Sequence, residues 1–544
     1  MQYQTVLQSF LDNSGKFSDR AFLHQPEKKK WRTLTFTQTE HQARCIASGL
    51  KAQGFRQGDR IGIISKNCAE WFIADLAIMM AGMISVPIYP TAGQKTISFV
   101  VEHCDMKAVF VGKFDSLDAA ETAIKTGVLR IAFPYPTISA SELWKQWLVK
   151  YPAIEETHQA EIDDCMSIVY TSGTTGDPKG VVISFKNLAS AAKCTAELVE
   201  VMSEDRFLSY LPLAHITERG VIESVAFHAA TQVYFVEGLD TFIDDLRHAS
   251  PTFFVSVPRL WAKFQAQVLA ELPDKKLDFL LRLPVVGKRV AKKIRIRLGL
   301  NNTRKFGTGS APIAISLLQW FQKIGIDISE GWGMSETSGL SCGNTPFTSE
   351  NIGTIGVPLD CVEMKLSADK EILIRGDAVF SQYYLAPEMT ETSFTGDWFH
   401  TGDCGEMTGD GVFKIVGRVK EQFKTAKGKY VAPVPIEQML CRNSHIEQIC
   451  VMGIGLKQPL ALVVLGEGRN AEDPVLINEL KATLSDVNAE LESHQRLDYL
   501  FICKDPWTVG NDLLTPSLKL KRNQIERFYS AKLPSDIPAQ VMVE

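Results

Sequence analysis

The chain of 544 residues lacks any paired-cysteine signal: its eleven cysteines are odd in number, scattered, and nowhere spaced as CxxC. That argues against a disulfide framework and a structural zinc site, and it fits a reducing, cytoplasmic setting. Long apolar runs are missing as well. The most apolar stretch, LAIMMAGMISVPIYP (76–90), is broken by Gly82 and Pro87 and is too short for a bilayer; it reads as a buried helix followed by a strand. The amino-terminal MQYQTVLQSFLDNSGKFSDR has neither the basic start nor the apolar centre of a secretory signal, so it is expected to be mature protein. An overall positive charge is absent, and a net charge of −5 gives no reason to expect nucleic acid. Repeats and low-complexity tracts are absent too. With 45% hydrophobic and 22% charged residues, the composition is that of an ordinary soluble globular protein.

At this length a single compact core does not suffice, and at least two domains are expected. Short apolar runs such as RIGIIS, KAVFVG, QVYFVE and PTFFVSVP alternate with helical periods, the signature of an α/β protein. From about residue 365 the texture changes to short alternating runs, and Asp410-Gly411 between two of them predicts a hairpin. A compact tail follows, with strand-like QICVMGIG and LALVVLG and a helix near 478–491. A boundary near 418–420 divides the chain into residues 1–418 and 419–544.

YTSGTTGDPKG (170–180) gathers three glycines and four small hydroxyl side chains in eleven residues. Such a loop exposes N–H and O–H donors at close range, as a polyphosphate requires. It is not a Walker loop, because counting from Gly173 puts Pro178 where the second glycine belongs. The flanking MSIVY and GVVIS read as strands, and Ser184 as the N-cap of a helix from about Lys186. Taken alone, the stretch fits a ligand-free hairpin equally well.

Five further stretches combine charge, glycine and aromatics beyond what a core requires. They are LPLAHITER (211–219), GTGSAP (307–312), EGWGMSETSG (330–339), HTGDCG with DGVFKIVGRVKE (400–421), and LTPSLKLKRN (514–523). In order and spacing, these motifs and YTSGTTGDPKG resemble the adenylate-forming (AMP-binding) superfamily: acyl-CoA synthetases, beetle luciferases and peptide-synthetase adenylation domains. The resemblance runs from about residue 20 to residue 530. LPLAHITER, FFVSVPRLWAKF and FKTAKGKYVAP resemble the long-chain fatty acyl-CoA synthetases in particular. Thr217 stands where many of those have an aromatic residue, and Phe185 where many superfamily members have histidine; both departures bear on substrate choice more than on chemistry. The resemblance implies an α/β fold: a large N-terminal domain of mixed sheets with flanking helices and a small β-barrel-like subdomain, then a small, mobile α+β C-terminal domain. It also implies a ligase that uses ATP, Mg²⁺ and coenzyme A to activate a medium- to long-chain fatty acid.

Joining a carboxylate to the α-phosphate of ATP brings two anions together while pyrophosphate leaves, so cations and N–H donors must face the developing charge. By resemblance, Thr171, Ser172, Gly173, Thr174, Thr175 and Gly176 with Lys179 cradle the phosphates, while Glu336 helped by Thr171 ligates Mg²⁺, as suits a hard cation. Trp332, within Gly331, Gly333, Met334 and Ser335, stacks on the adenine, with Gly309, Ser310 and Ala311 as the opposite wall. Asp403 accepts the ribose hydroxyls, Arg418 donates toward ribose or phosphate, and His215 orients the acyl group. Lys519, opening the pattern K-x-x-R that ends at Arg522, is the catalytic lysine, with Lys521 its nearby rival. Lys420 is the hinge whose rotation withdraws the Lys519 loop and brings in the Gly428 region for thioester formation. Taken singly, these residues have plainer readings: a solvated glutamate, a core tryptophan, a surface ion pair, a satisfied histidine, a basic helix start.

PTFFVSVPRLW (251–261) is a tunnel candidate for an acyl chain by resemblance and plain core otherwise. Residues 274–305 hold eleven Lys/Arg against two Asp, interleaved with apolar residues; solvated helices fit, and so does contact with an anionic membrane, whereas nucleic acid fits poorly. Rivals to the CoA ligase are an enzyme that loads an acyl carrier protein and a catalytically idle acyl or nucleotide sensor. A luciferase-like oxygenase shares the adenylation motifs.

Overall fold

The computed structural model describes residues 3–114, 117–171, 178–443, 445–466, 468–516, 518–533 and 539–544. Two large sheets carry the bigger body. The seven-stranded sheet runs in the order Glu142–Leu143, Leu129–Ala132, Ala108–Val111, Arg60–Ile64, Ile84–Ile88, Cys165–Thr171, Lys179–Ser184. Its neighbours are parallel except for the last pair, Cys165–Thr171 with Lys179–Ser184. Strands such as Ala108–Val111 are buried at every residue, which is why they read as continuous apolar runs rather than alternating ones.

The nine-stranded sheet is parallel at its centre. Ile328–Trp332, Lys305–Thr308, Phe253–Ser256, Arg206–Ser209, Gln232–Phe235 and Ala21–Glu27 follow one another across it, with short antiparallel strands at both edges. Helix Ala69–Met80, apolar apart from Glu70 and Asp75, is buried along its whole length in the core shared by the two sheets and leads into strand Ile84–Ile88. Phe254, Trp261 and Phe264 lie in a second apolar core, with Trp261 edge-on to Phe321 at 5.0 Å, so the PTFFVSVPRLW segment is packed core in this structure.

A five-stranded antiparallel sheet follows, containing Trp398–Met407 and Phe413–Arg418. The hairpin between these two strands closes at Gly411, whose φ of 78° lies in the left-handed region that glycine adopts without penalty. The remaining body is smaller. Strands Ile446–Met452, Leu460–Leu465, Leu500–Ile502 and Val541–Val543 form its sheet, and helices Pro433–Leu440, Pro474–Glu490 and Arg522–Ser530 pack with it. Its two apolar clusters draw only on residues from Phe423 onward. Among the described residues no helix is long and apolar enough to cross a membrane.

Candidate active site

Thr171 and Lys179 face each other at the end of the antiparallel pair Cys165–Thr171 and Lys179–Ser184. Ser172, Gly173, Thr174, Thr175 and Gly176 lie outside the described residues. Ser184 caps helix Phe185–Leu198 in a reciprocal capping box with Asn187, whose side-chain amide also donates to the Asp377 and Val379 carbonyls at 2.8 and 2.9 Å. The Tyr384 N–H donates to the Gly180 carbonyl at 2.7 Å, locking the segment around 380–384 against the strand.

Through that segment the hairpin reaches Glu336. The Lys179 ammonium lies 5.3 Å from the centre of the Tyr383 ring, and the Tyr383 hydroxyl donates to Glu336 Oε1 at 2.9 Å. Burial first, and then the Glu336 carboxylate, push the Tyr383 phenol up, so it stays a donor. Glu336 is in the short turn Ser335–Thr337 that follows strand Ile328–Trp332, with Gly331 of that strand paired to Gly343. The loop closes on itself: the Met334 N–H donates to Thr337 Oγ1 at 3.1 Å, and a Cβ on Gly333 would lie 1.5 Å from the Gly339 carbonyl oxygen, where no side chain fits.

Trp332, 9% exposed, donates its indole N–H to Asp403 Oδ2 at 2.9 Å, while Arg418 Nε meets Oδ1 at 2.9 Å from the facing position on the next strand. Burial raises the Asp403 pKa, opposed by the Arg418 charge, the indole hydrogen bond and Lys519. The tryptophan edge is thus committed to orienting Asp403, which leaves only a ring face for a stacked base. Strand Lys305–Thr308 runs parallel beside Ile328–Trp332 and delivers Gly309, Ser310 and Ala311. Ser310 has a left-handed φ of 65°, uncommon for a residue with a side chain, and its Oγ lies 3.4 Å from Thr217 Oγ1.

His215 accepts the Thr217 N–H at Nδ1, 3.2 Å away, so its own proton sits on Nε2. Burial, and to a smaller extent Lys519, push its pKa down to about 3, and the imidazole is neutral. Lys519 enters from the smaller body on a tight hairpin. The Thr515 N–H donates to the Lys519 carbonyl at 2.8 Å, the Lys519 N–H donates back to Thr515 Oγ1 at 3.0 Å, and Leu514 bridges Leu520. The Lys519 residue is exposed overall, but its ammonium is surrounded by protein: desolvation and then Arg418 lower its pKa, while Asp403, Glu336 and Glu421 raise it. Lys521 is instead paired with Asp512. Lys420 sits exposed in the turn that follows Arg418, and Gly428 occupies the turn between Phe423–Lys424 and Tyr430–Val431.

Residues 10–384 match the family described as AMP-binding enzyme, and residues 420–533 match the AMP-binding enzyme C-terminal domain. The chain belongs to the AMP-binding enzyme family. A long-chain-fatty-acid–CoA ligase of Mycobacterium tuberculosis is 31% identical over 94% of this chain and 92% of its own length. Fatty acyl-CoA synthetase A of Dictyostelium discoideum is 30% identical over 94% of this chain and 86% of its own. In fold, this AMP-binding enzyme is similar to the adenylation domain of a carboxylate reductase from Mycobacterium chelonae, with a TM-score of 0.82 at 21% identity over 97% and 90% of the two chains. It is also similar to the AMP complex of O-succinylbenzoate coenzyme A synthetase from Bacillus subtilis, with a TM-score of 0.76 at 21% identity over 96% and 98%.

Three residues of this AMP-binding enzyme's site escape the sequence reading. Tyr383 lies outside every motif. Asn67 donates to the Ser209 hydroxyl and the Leu211 carbonyl at 2.8 and 2.7 Å and accepts the Leu213 N–H at 3.2 Å, fastening the His215 loop to the other sheet. Glu218, buried within LPLAHITER and pushed up to about 8 by burial, accepts the Tyr210 N–H at 2.9 Å and is met by Asn67 at 3.3 Å. An asparagine after a strand reads as a turn residue, and a glutamate between His215 and Arg219 reads as solvated; only the packing of one sheet on the other makes them a clamp.

Proposed function

We propose that this AMP-binding enzyme activates a medium- to long-chain fatty acid with ATP, as an acyl-adenylate, and passes the acyl group to coenzyme A. One observation supports the reading: Lys519, from the smaller body, lies close enough to Asp403, Arg418, Glu336 and His215 of the larger one for their charges to act on one another. A carboxylate oxygen attacks the α-phosphorus, the bond to pyrophosphate breaks, and Lys519 offsets the charge that builds between the two anions. Neutral His215 orients the acyl carboxyl group without adding a competing charge. Asp403, held by Trp332 and Arg418, would accept the ribose hydroxyls, and the segment between Thr171 and Lys179 would receive the phosphates.

Among the described residues no cluster of three or more His, Cys, Asp or Glu is arranged to hold a metal ion. The buried carboxylate of Glu336 and the hydroxyl of Thr171 are oxygen donors of the kind that suits Mg²⁺ and would hold it, and the bound ion would withdraw charge from the phosphates. In the second half-reaction the CoA sulfur attacks the acyl carbon, AMP leaves with the electron pair of the C–O bond, and the thiol proton passes to solvent. The two relatives named as fatty acyl-CoA ligases support the substrate class. The test is pyrophosphate release over carboxylic acids from acetate to long-chain acids, each with and without CoA. Turnover is expected to favour the longer acids and to yield acyl-CoA; release confined to acetate or aromatic acids would reject the substrate, and adenylate formed but never consumed by CoA would reject the acceptor.

A further inference from the structure

We propose that the corner between helices Asp274–Leu281 and Pro284–Arg297 is a docking surface for an anionic lipid bilayer. The two helices are strongly sided. Leu277, Gly287, Ala291 and Ile294 are buried, with Leu277, Ala291 and Ile294 in the second core of the larger body. The charged groups on that side are engaged: Asp278 pairs with Lys323 at 2.9 Å, Asp274 accepts the Trp320 indole N–H at 3.2 Å, Arg295 donates to the Ile324 carbonyl at 2.6 Å, and Arg297 pairs with Glu271. The hairpin is therefore fixed to the body along one face only. Gly287 makes the corner tight, since a Cβ there would lie 2.5 Å from the Leu281 carbonyl oxygen.

The opposite side has the complementary character. Phe279 is 63% exposed and Val285 64%, with Leu283 and Val286 also exposed between them. A run of five exposed residues, 282–286, forms the tip. Around it stand Lys275, Lys276, Arg282, Lys288, Arg289 and Lys292, all exposed and none in an ion pair among the described residues. An ordinary solvated helix intersperses acids with its bases; here both acids are tied to the body, Asp274 to Trp320 and Asp278 to Lys323, so unpaired cations ring an apolar tip. That pattern matches an anionic interface, with headgroups meeting the cations and the apolar tip entering the boundary below. A polyanion without an apolar phase, such as nucleic acid, gives the exposed Phe279 and Val285 nothing to bury against. Protein over solvent alone leaves seats of both kinds unfilled.

The full-length protein is sedimented with vesicles of phosphatidylcholine alone and of phosphatidylcholine mixed with phosphatidylglycerol. Binding is expected only to the mixed vesicles and is expected to weaken with salt, as the Debye length falls from ~10 Å at 0.1 M to ~3 Å at 1 M. Lys288→Glu with Arg289→Glu should weaken binding roughly tenfold or more. Phe279→Ser with Val285→Ser should weaken it without changing its salt dependence. All four positions are exposed, and unchanged thermal melting of each variant shows that the fold is intact. Equal recovery with the two vesicle types overturns the proposal. So does a Phe279/Val285 variant that binds like wild type, or equally tight binding to a nucleic-acid duplex that ignores that variant, which would favour the nucleic-acid reading.

Discussion

Lys519 feels one cation, Arg418, and three carboxylates, Asp403, Glu336 and Glu421. Such a group is useful where negative charge is transient, and it has no task once the acyl-adenylate exists. Lys519→Ala should therefore slow adenylate formation by about 3–4 kcal/mol, roughly the loss of a preorganised transition-state donor. Conversion of supplied acyl-AMP and CoA into acyl-CoA should survive. Equal loss of both half-reactions, or a selective loss from Lys521→Ala alone, would move the role elsewhere. Glu218 makes a prediction of a different kind. Its pKa is raised from 4.5 to about 8 by burial, so between those values the folded protein holds a proton that the unfolded chain has released. Stability then falls as pH rises across that window, by at most about 1.4 kcal/mol per pH unit. Glu218→Gln keeps the acceptor for the Tyr210 N–H and removes the proton linkage. Thermal melts from pH 5 to pH 8 should show the variant gaining on wild type as pH rises; parallel curves would mean that Glu218 is ionised in the fold.

At the scale of elements, what was legible in the sequence is what local chemistry decides. The strand pair around the hydroxyl-rich loop, the Ser184 cap and the Asp410-Gly411 hairpin each follow from neighbours in the chain, and all three are in the structure. Of the residues named by the motifs, Trp332, Asp403 and Arg418 form one hydrogen-bonded group, because each stands in or at the end of a strand. The segment Glu218–Ser224 was not legible. It is a π-helix, a winding rare enough that no composition marks it, and it persists because both flanks constrain it. Gly220 lies so close to the Ser338 carbonyl that a Cβ would stand 2.6 Å from its oxygen, and Arg219 is bound to Asp75 at 2.7 Å and to the Ser85 hydroxyl at 2.6 Å in the core. The wide π winding thus links the His215 loop to the Glu336 loop. Trp332 is instructive in a similar way, since its flanking glycines suggested an open platform while its indole N–H is spent on Asp403 inside the protein.

For the whole molecule, the question is how freely the smaller body can turn against the larger. Among the described residues, the polar ties that cross between them away from the connecting segment include Arg259 with Glu447 and the Thr91 hydroxyl, which donates to the Pro516 carbonyl at 3.3 Å. The first is exposed on the arginine side and the second is long, so neither resists rotation strongly. Proline fixes φ near about −65°, and at a hinge it restricts the chain to states that tolerate this value. Lys420→Pro should preserve adenylation and depress thioester formation, read out by separate assays of the two half-reactions; if both continue unchanged, residue 420 is not the pivot. Arg522 gives such a pivot its mechanical meaning. Three residues beyond Lys519, it grips Glu421, next to the pivot, at 3.0 Å and Glu437 at 2.5 and 2.6 Å. With residue 420 as the pivot, these contacts would brace pivot and lysine into one stiff lever, so that an angular change there would become displacement at the tip instead of being absorbed by bending along the arm. The position of a single ammonium would then report the angle of an entire domain, and a small turn would be enough to disengage it.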